Sequence, residues 1–189
     1  MPERATEHHG GAEIECSLLF ADVRGSTPLA EAMPPAQFRA LMEQFFDVAA
    51  DVLVDHDAIV DKFVGDEIIG IFVPALAGDA HAARAITAAR ALMARTRNPD
   101  GSPWVPIGAG VHTGIAFVGS IGSGPHVELT AMGDPVNVAA RLASAAGAGE
   151  ILVTTDAARA GQIETAGLER RDLALKGKSN PVSVLVLAA

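Results

Sequence analysis

The stretch Ile59–Val73, with the sequence IVDKFVGDEIIGIFV, determines the fold expected for this chain. Two apolar runs rich in β-branched residues flank the dipeptide Gly65-Asp66. Runs of this kind on either side of a two-residue turn that contains glycine predict a β-hairpin. The turn carries a carboxylate, and Lys62 lies four positions before it. Because turns of this composition are common, the hairpin alone leaves a purely structural and a functional interpretation of Asp66 equally open.

Length, composition and charge indicate one globular domain in the cytoplasm. The chain has 189 residues, 49% of them hydrophobic, which suits a single core of ordinary size. No apolar run is long enough to span a membrane, and the N-terminus does not resemble a secretory signal. The net charge of −9 argues against nucleic acid or an anionic membrane as the main partner. The single cysteine, Cys16, excludes an internal disulfide and fits a reducing compartment.

The segment FADVRGSTP, which starts at position 20, predicts a strand that leads through a glycine turn into a helix. Thr27 followed by Pro28 is a helix-start signal. Free N–H groups and the helix dipole at such a start favour a phosphate, which the turn Gly25-Ser26-Thr27 would hold. Asp22 would repel that phosphate unless a cation lay between them. The residues alone leave open whether Asp22 caps the turn or binds a metal.

The rest of the chain predicts one α+β domain. Residues 1–12 have the composition of a disordered tail, and residues 13–189 form the domain. Long helical patterns follow Pro34-Pro35 and cover about 79–97. Hairpins among irregularly alternating helices and strands favour a mixed sheet over a doubly wound fold.

A glycine-rich segment over 105–121 predicts two short strands. The dipeptide Thr113-Gly114 is the expected junction between them. A flexible loop is expected over 119–124, and a further strand over 126–132.

The segment TAMGDPVNVAARL, which starts at Thr130, predicts a strand end followed by a helix with Asp134 as its N-cap. Asn137 and Arg141 lie four positions apart and therefore share one face of that helix. A later segment, LKGKSNP, is a basic turn that carries Lys176. Taken singly, Arg141 is also compatible with an ordinary surface position, and Lys176 with a solvated turn lysine.

Together these four segments resemble the catalytic domain of class III nucleotidyl cyclases, the adenylyl and guanylyl cyclases. The resemblance runs from about Glu13 to Leu187 and follows the family's order of motifs. It implies a palm-like α+β domain with a ferredoxin-like core and a mixed, mostly antiparallel sheet flanked by helices. It also implies a head-to-tail homodimer with two sites at its interface, which convert ATP into 3′,5′-cyclic AMP and pyrophosphate.

The same resemblance assigns metal-binding and catalytic roles. Asp22 and Asp66, with the backbone carbonyl of Val23, are expected to hold two divalent cations, Mg²⁺ or Mn²⁺. Such cations activate the ribose 3′-hydroxyl and neutralise the leaving pyrophosphate. Asn137 is expected to hold the ribose, and Arg141 to stabilise the charge that develops at the α-phosphate.

Substrate recognition follows from the same resemblance. Lys176 is expected to pair with the terminal phosphates, beside the loop of Gly25, Ser26 and Thr27. Lys62 and Thr130 match the family's base-reading pair. Lys62 would donate to adenine N1, and Thr130 would accept from the exocyclic amine. Guanylyl cyclases usually carry Glu at the position of Lys62, so ATP is favoured over GTP.

Three positions depart from the family's common pattern. Many adenylyl cyclases have Asp where this chain has Thr130, whereas a bacterial subgroup has Thr or Ser and is often stimulated by bicarbonate. Bicarbonate and fused sensory domains are therefore candidate regulatory partners. Ser26 replaces a common Phe. Ile115 stands where mammalian members have a phosphate-binding Arg, so triphosphate binding depends more on Lys176 and the Ser26-Thr27 loop.

Three alternatives remain at the level of sequence. The first is a guanylate cyclase, and the second is a catalytically silent module for dimerisation or sensing. Asp22, Asp66 and Arg141 argue against a silent module, since binding alone requires none of them. The third is a diguanylate cyclase, but the hairpin GDEII lacks that family's second glycine and doubled acidic signature.

Overall fold

The predicted hairpin forms, and it lies at one edge of a large β-sheet. The structure is a computed structural model that describes residues 10–123 and 126–188. Within these residues, eight strands form the sheet: β1 (Gly11–Val23), β2 (Ile59–Val64), β3 (Glu67–Phe72), β4 (Ile107–Ser123), β5 (His126–Met132), β6 (Glu150–Thr154), β7 (Glu169–Leu173) and β8 (Val182–Ala188). The helices are α1 (Ser26–Ala32), α2 (Pro35–Asp55), α3 (Pro74–Ala77), α4 (His81–Arg95), α5 (Asp134–Ala145) and α6 (Thr155–Ala160).

The sheet is mixed and mostly antiparallel, as predicted. Its strand order is β2-β3-β1-β4-β6-β8-β7, and β5 pairs with β4 outside this path. The pair β4–β6 is parallel, whereas the other six pairs are antiparallel. The long antiparallel pair of β1 and β4 forms the centre, which confirms the α+β interpretation.

Helices cover both faces of the sheet, and alternate residues of β1 point to the two layers. Leu19 belongs to the larger core, together with Phe45 of α2 and Leu92 of α4. Leu18 belongs to a second core on the opposite face, together with Ala139 of α5. All five side chains are buried, and this two-sided burial fixes the register that carries Asp22 to the end of β1.

Several predicted boundaries shift by a few residues. The strand β1 begins at Gly11 instead of Glu13, and residues 1–9 of the predicted tail lie outside the described residues. The helix α1 begins at Ser26, so Pro28 is its third residue instead of its first. Gly133 is the N-cap of α5 in place of Asp134. The predicted helix over 79–97 is a 3₁₀ turn followed by α4.

The prediction of two strands over 105–121 is wrong, because β4 runs without a break from Ile107 to Ser123. The loop expected over 119–124 is therefore strand as far as Ser123, and Gly124 lies outside the described residues. Gly110 serves helix packing here: a Cβ atom on it would lie 2.5 Å from the Ala143 backbone nitrogen. Gly114 is similar, with its Cβ position 2.9 Å from Cγ of Pro135. The glycines let α5 approach the strand closely and mark no turn.

Within residues 10–123 and 126–188, no helix combines the length and the apolar character needed to cross a membrane.

Candidate active site

Asp22 and Asp66 meet at one end of the sheet. Asp22 is the last but one residue of β1, and its register partner on β3 is Glu67. The adjacent turn between β2 and β3 is tied to the end of β1 by a hydrogen bond of 3.1 Å from the Val23 backbone N–H to the Asp66 carbonyl. Gly65 adopts the left-handed conformation that this tight turn requires, with φ of 65°. The structure thus brings together the three residues predicted to bind metal.

Arg24 joins these carboxylates to the end of α5. Its guanidinium forms an ion pair with Asp22. The same group donates to the backbone carbonyls of Ser144 at 3.1 Å and Ala146 at 3.3 Å. A cation at a helix C-terminus is favourable because the last carbonyls have no partner within the helix. The sequence prediction did not include Arg24, although a basic residue directly after a candidate metal ligand is a visible signal.

Glu67 adds a third carboxylate on the face of the sheet that carries Asp22. Burial and the neighbouring Asp66 raise the pKa of Glu67 to about 7, while Arg24 opposes the rise. The rise follows from the arrangement, in which neighbouring carboxylates share a partly desolvated place. The prediction missed Glu67, but pairing the hairpin with β1 in the correct register would have found it.

The predicted phosphate loop lies beside Asp66. Gly25 is left-handed, with φ of 69°, and directly precedes α1. An open cavity of about 390 Å³ lies over this segment. Its lining residues come from α1, α2 and the hairpin turn: Ser26, Thr27, Ala30, Phe38, Met42, Gly65 and Asp66. The hydroxyl-bearing loop and the turn carboxylate therefore border one cavity.

The oxygen atoms at this end of the sheet suit a hard divalent cation. Among the described residues, no group of three or more His, Cys, Asp or Glu side chains is arranged to hold a metal on its own. Mg²⁺ commonly needs only one or two protein carboxylates, because water and substrate phosphates complete its shell. Asp22, Asp66 and the Val23 carbonyl match that donor set, and a cation would offset the charge that raises the pKa of Glu67.

Lys62 and Thr130 lie on two strands that contact each other, β2 and β5. The Lys62 ammonium donates to Glu128 at 2.9 Å. The Thr130 hydroxyl donates to Asp61 at 2.9 Å. The predicted base-reading pair is thus brought together, and each member is held by a carboxylate that the prediction did not include.

A β-bulge explains why two consecutive residues of β2 reach β5. Val60 pairs with Gly70 and Phe63 pairs with Ile68, so Asp61 and Lys62 together oppose one residue of β3. A bulge of this kind changes the direction of the side chains that it contains. The regular alternation of a strand would have sent these two side chains to opposite faces.

Asp61 is the more deeply buried of the two carboxylates, with 5% of its side chain exposed. Its Oδ2 accepts the proton of Thr130, while its Oδ1 is buried without a hydrogen-bond partner, 3.9 Å from the Lys62 ammonium. Burial, with a smaller contribution from Glu128, raises the pKa of Asp61 above its ordinary value, although the Thr130 hydrogen bond and Lys62 act to lower it. Glu128 is exposed, and its hydrogen bond to Lys62 lowers its pKa.

The remaining predicted residues lie on α5 and the basic turn. Asn137 is exposed, and its amide nitrogen is 3.5 Å from the Gly133 carbonyl. Arg141 is half-buried under the basic turn: a Cβ atom on Gly177 would lie 3.5 Å from Nη2 of Arg141. Lys178 forms an ion pair with Asp134. Lys176 is exposed next to this anchored turn, so a phosphate has access to it.

The predicted residues therefore form three groups. The first contains the carboxylates and the phosphate loop, the second the base-reading pair, and the third Asn137, Arg141 and Lys176. Across the part of the chain that the structure describes, no hydrogen bond or ion pair joins one predicted group to another. One copy of the chain supplies three polar groups, each held by its own neighbours.

Known proteins resemble this chain over nearly its whole length. The family model described as "Adenylate and Guanylate cyclase catalytic domain" matches residues 11–188. "Adenylate cyclase 1" of Rhizobium meliloti (strain 1021) is 33% identical over 144 residues, which are 71% of this chain and 22% of that protein. The chain spans between 22% and 34% of the first curated relatives that it matches.

Two solved structures have the same fold. The adenylyl cyclase CyaB from P. aeruginosa superposes with a TM-score of 0.80 at 26% identity, covering 95% of this chain and 97% of that one. The guanylyl cyclase Cya2 superposes with the same TM-score and identity, covering 94% of this chain and 93% of that one. Enzymes with either base preference therefore share this architecture.

Proposed function

This chain belongs to the adenylate and guanylate cyclase catalytic domain family, and we propose that it is an adenylate cyclase. In the proposed reaction the 3′-hydroxyl oxygen of ATP forms a bond to the α-phosphorus. The bond from that phosphorus to the oxygen bridging to the β-phosphate breaks. Pyrophosphate leaves with that oxygen, the hydroxyl proton passes to solvent, and 3′,5′-cyclic AMP is the other product.

The observation that carries the preference for ATP is the position of Lys62 beside Thr130 on β2 and β5. An ammonium group donates and cannot accept, so Lys62 suits adenine N1, which accepts. Guanine carries a proton at N1, which would face the ammonium group unfavourably. An unmatched buried polar group costs about 1–3 kcal/mol, enough to separate the two bases.

The residues of α5 and the basic turn supply positioning and charge. Arg141 is half-buried under Gly177, and this support limits its freedom to move. We assign Arg141 to the α-phosphate, Asn137 to the ribose and Lys176 to the terminal phosphates. Ile115 is 66% exposed and offers no charge to a phosphate, so Lys176 and the loop Gly25-Ser26-Thr27 carry the triphosphate. Donors held in place before reaction stabilise developing charge without reorganisation.

Asp22, Asp66 and the Val23 carbonyl would hold Mg²⁺ or Mn²⁺. When bound, the two cations lower the pKa of the ribose hydroxyl and neutralise charge on the phosphates. In the chain itself, the Arg24 guanidinium forms an ion pair with Asp22 and holds that carboxylate at the end of β1.

We assign the working form to a head-to-tail homodimer in which each site takes residues from both copies. Exposed apolar side chains along β4 and β5 support this assignment. By strand register, Ile115 (66% exposed) and Met132 (53%) share one face, whereas Leu129 (47%) and Val127 (40%) lie on the other. Exposed apolar side chains on neighbouring strands mark an interaction surface. In this arrangement the carboxylate group of one copy faces the groups of Lys62 and Arg141 from the other.

An assay of the purified chain with ATP and with GTP tests the proposal. We expect cyclic AMP in the presence of Mn²⁺ or Mg²⁺, and kcat/KM at least about tenfold higher for ATP than for GTP. The variant Asp66→Asn should lose nearly all turnover, on the order of a hundredfold or more, without a loss of thermal stability. Glu43→Gln, an exposed change on α2, is the control and should remain active.

Higher kcat/KM for GTP would make the chain a guanylate cyclase. Absence of turnover with both nucleotides would make it a silent module. Wild-type activity of the Asp66→Asn variant at saturating Mn²⁺ would overturn the assignment of Asp66.

A further inference from the structure

We infer that Asp61 determines base specificity by fixing the direction of the Thr130 hydroxyl proton. The inference rests on the proposed function, since it concerns the same base-reading site. Thr130 alone is ambiguous, because a hydroxyl has one proton to donate and lone pairs with which to accept. It could therefore meet either the 6-amino group of adenine or the 6-carbonyl of guanine.

The geometry removes this ambiguity. Thr130 Oγ1 lies 2.9 Å from Oδ2 of Asp61, a carboxylate that can only accept when ionised. The single proton of Thr130 is thus directed to Asp61, and the lone pairs alone remain for the base. An acceptor matches the amino group of adenine and repels the carbonyl oxygen of guanine.

Both partners of the hydrogen bond from Thr130 to Asp61 are buried, which favours this direction of the proton. Asp61 is 5% exposed and Thr130 is 9% exposed, so water does not readily replace either partner. Oδ1 of Asp61 has no hydrogen-bond partner and faces the Lys62 ammonium at 3.9 Å. Burial raises the pKa of Asp61, and the Thr130 hydrogen bond and the nearby ammonium oppose that rise, which favours the ionised, accepting form.

Lys62 is oriented by the same carboxylate. Of its three protons, one goes to Glu128 at 2.9 Å, and the charge of Asp61, 3.9 Å away, attracts the ammonium as well. The bulge at positions 61 and 62 therefore builds both halves of the base-reading pair, one directly and one through Thr130.

The variant Asp61→Asn tests the inference. The Lys62 ammonium disfavours an amide NH₂ beside it, so the amide oxygen of the new side chain should face Lys62. The NH₂ group then donates to Thr130, whose proton becomes free to face the base. We expect the ratio of kcat/KM for ATP over GTP to fall on the order of tenfold, the effect of one mismatched polar partner.

Three further variants distinguish an effect on the orientation of the Thr130 hydroxyl from a loss of protein stability. Thr130→Ser retains the hydroxyl and should keep the wild-type ratio. Asp61→Asn should have no further effect on the ratio in a Thr130→Val background, where no hydroxyl is left to orient. Asp172→Asn is the matched control, because Asp172 also accepts from a cross-strand hydroxyl, that of Ser183 at 2.5 Å. It should leave the ratio unchanged. If Asp61→Asn does not fold, Asp61→Ala replaces it, since it buries no unpaired amide.

Binding of 2′,3′-dideoxy-ATP and 2′,3′-dideoxy-GTP gives a second readout, because neither can cyclise. Suppose that the wild type cyclises ATP. If Asp61→Asn leaves both the kcat/KM ratio and the binding ratio of ATP over GTP unchanged, or lowers them as much in the Thr130→Val background as in the wild type, the inference fails and the proposed function stands. If the wild type cyclises neither nucleotide but prefers dideoxy-ATP, and Asp61→Asn removes that preference, the inference stands and the proposed function fails. A wild type with no preference between the two dideoxynucleotides overturns the inference.

Discussion

Glu67 is the residue whose ionisation most clearly opposes folding. It lies half-buried opposite Asp22 and next to Asp66, and its pKa is raised to about 7 from an ordinary value of 4.5. The folded protein therefore binds this proton more tightly than the unfolded chain does. The linkage relation then gives a stability that is fully present below about pH 4.5 and falls as pH rises toward 7.

The variant Glu67→Gln should remove this pH dependence. The difference in pKa corresponds to at most about 3 kcal/mol, and solvent screening of a half-buried group brings the expected effect to about 1–2 kcal/mol. Urea unfolding in the presence of EDTA should show that the free energy of unfolding of the variant, relative to that of the wild type, increases from pH 5 to pH 8. The exposed change Glu43→Gln should show no such gain. A gain that is the same at both pH values would mean that Glu67 does not titrate as described.

Residue types in the motifs were predictable from the sequence, and so was the carboxylate partner Glu128, but the partner Asp61 was not. Asp66 and Lys62 stand in a recognisable hairpin. The partner Glu128 is two positions from Thr130, so strand alternation places both on one face. Asp61 could not be found this way, because its direction depends on a bulge that the apolar pattern of β2 does not reveal.

At the scale of elements, the approach of α5 to β4 positions the third group of site residues. Gly110 permits this approach: a Cβ atom on it would lie 2.6 Å from the Ala139 carbonyl oxygen as well as 2.5 Å from the Ala143 nitrogen. Both contacts are with helix backbone, which cannot move aside as a flexible side chain would. The helix that carries Asn137 and Arg141 thus sits where this glycine allows.

The variant Gly110→Ala should push α5 away from the sheet. We expect a loss of about 1–3 kcal/mol in the free energy of unfolding, the usual cost of overpacking. Cyclic AMP formation should fall more than binding of ATP does, because Arg141 moves with the helix. Gly10→Ala, where a Cβ atom meets nothing within 4 Å, is the matched control. Wild-type stability and activity of Gly110→Ala would show that α5 adapts without cost.

The same glycines explain why one element was predicted wrongly. In the sequence, Thr113-Gly114 has the composition of a turn, which predicts that the strand breaks there. In the structure Thr113 is buried in β4, and it shares a hydrogen bond of 2.6 Å with Ser17 of β1. A glycine in a strand-like sequence is compatible either with a turn or with close packing against a helix. Only the position of α5 decides between the two.

At the scale of the whole molecule, three polar groups stand apart on one chain, and a surface of exposed apolar strand residues lies near them. The exposed Ile115 and Met132 lie on the face of β4 and β5 that carries Thr130, so an interface built on them would adjoin the base-reading pair. A two-fold dimer contains two copies of each group. In the proposed dimer, head-to-tail pairing would complete two equal sites, each from the carboxylates of one copy and the α5 residues of the other.

Mixing two inactive variants tests this account most directly. Asp66→Asn and Arg141→Ala homodimers should each be nearly inactive, because both of their sites carry one lesion. In a mixed dimer one site carries both lesions and the other carries none. Free exchange of an equal mixture places about half of the protein in mixed dimers, each with one good site of two. Cyclic AMP formation should therefore return to about a quarter of the wild-type rate. A mixture that stays as inactive as its components, while mixed dimers are shown to form, would contradict a site shared between two copies.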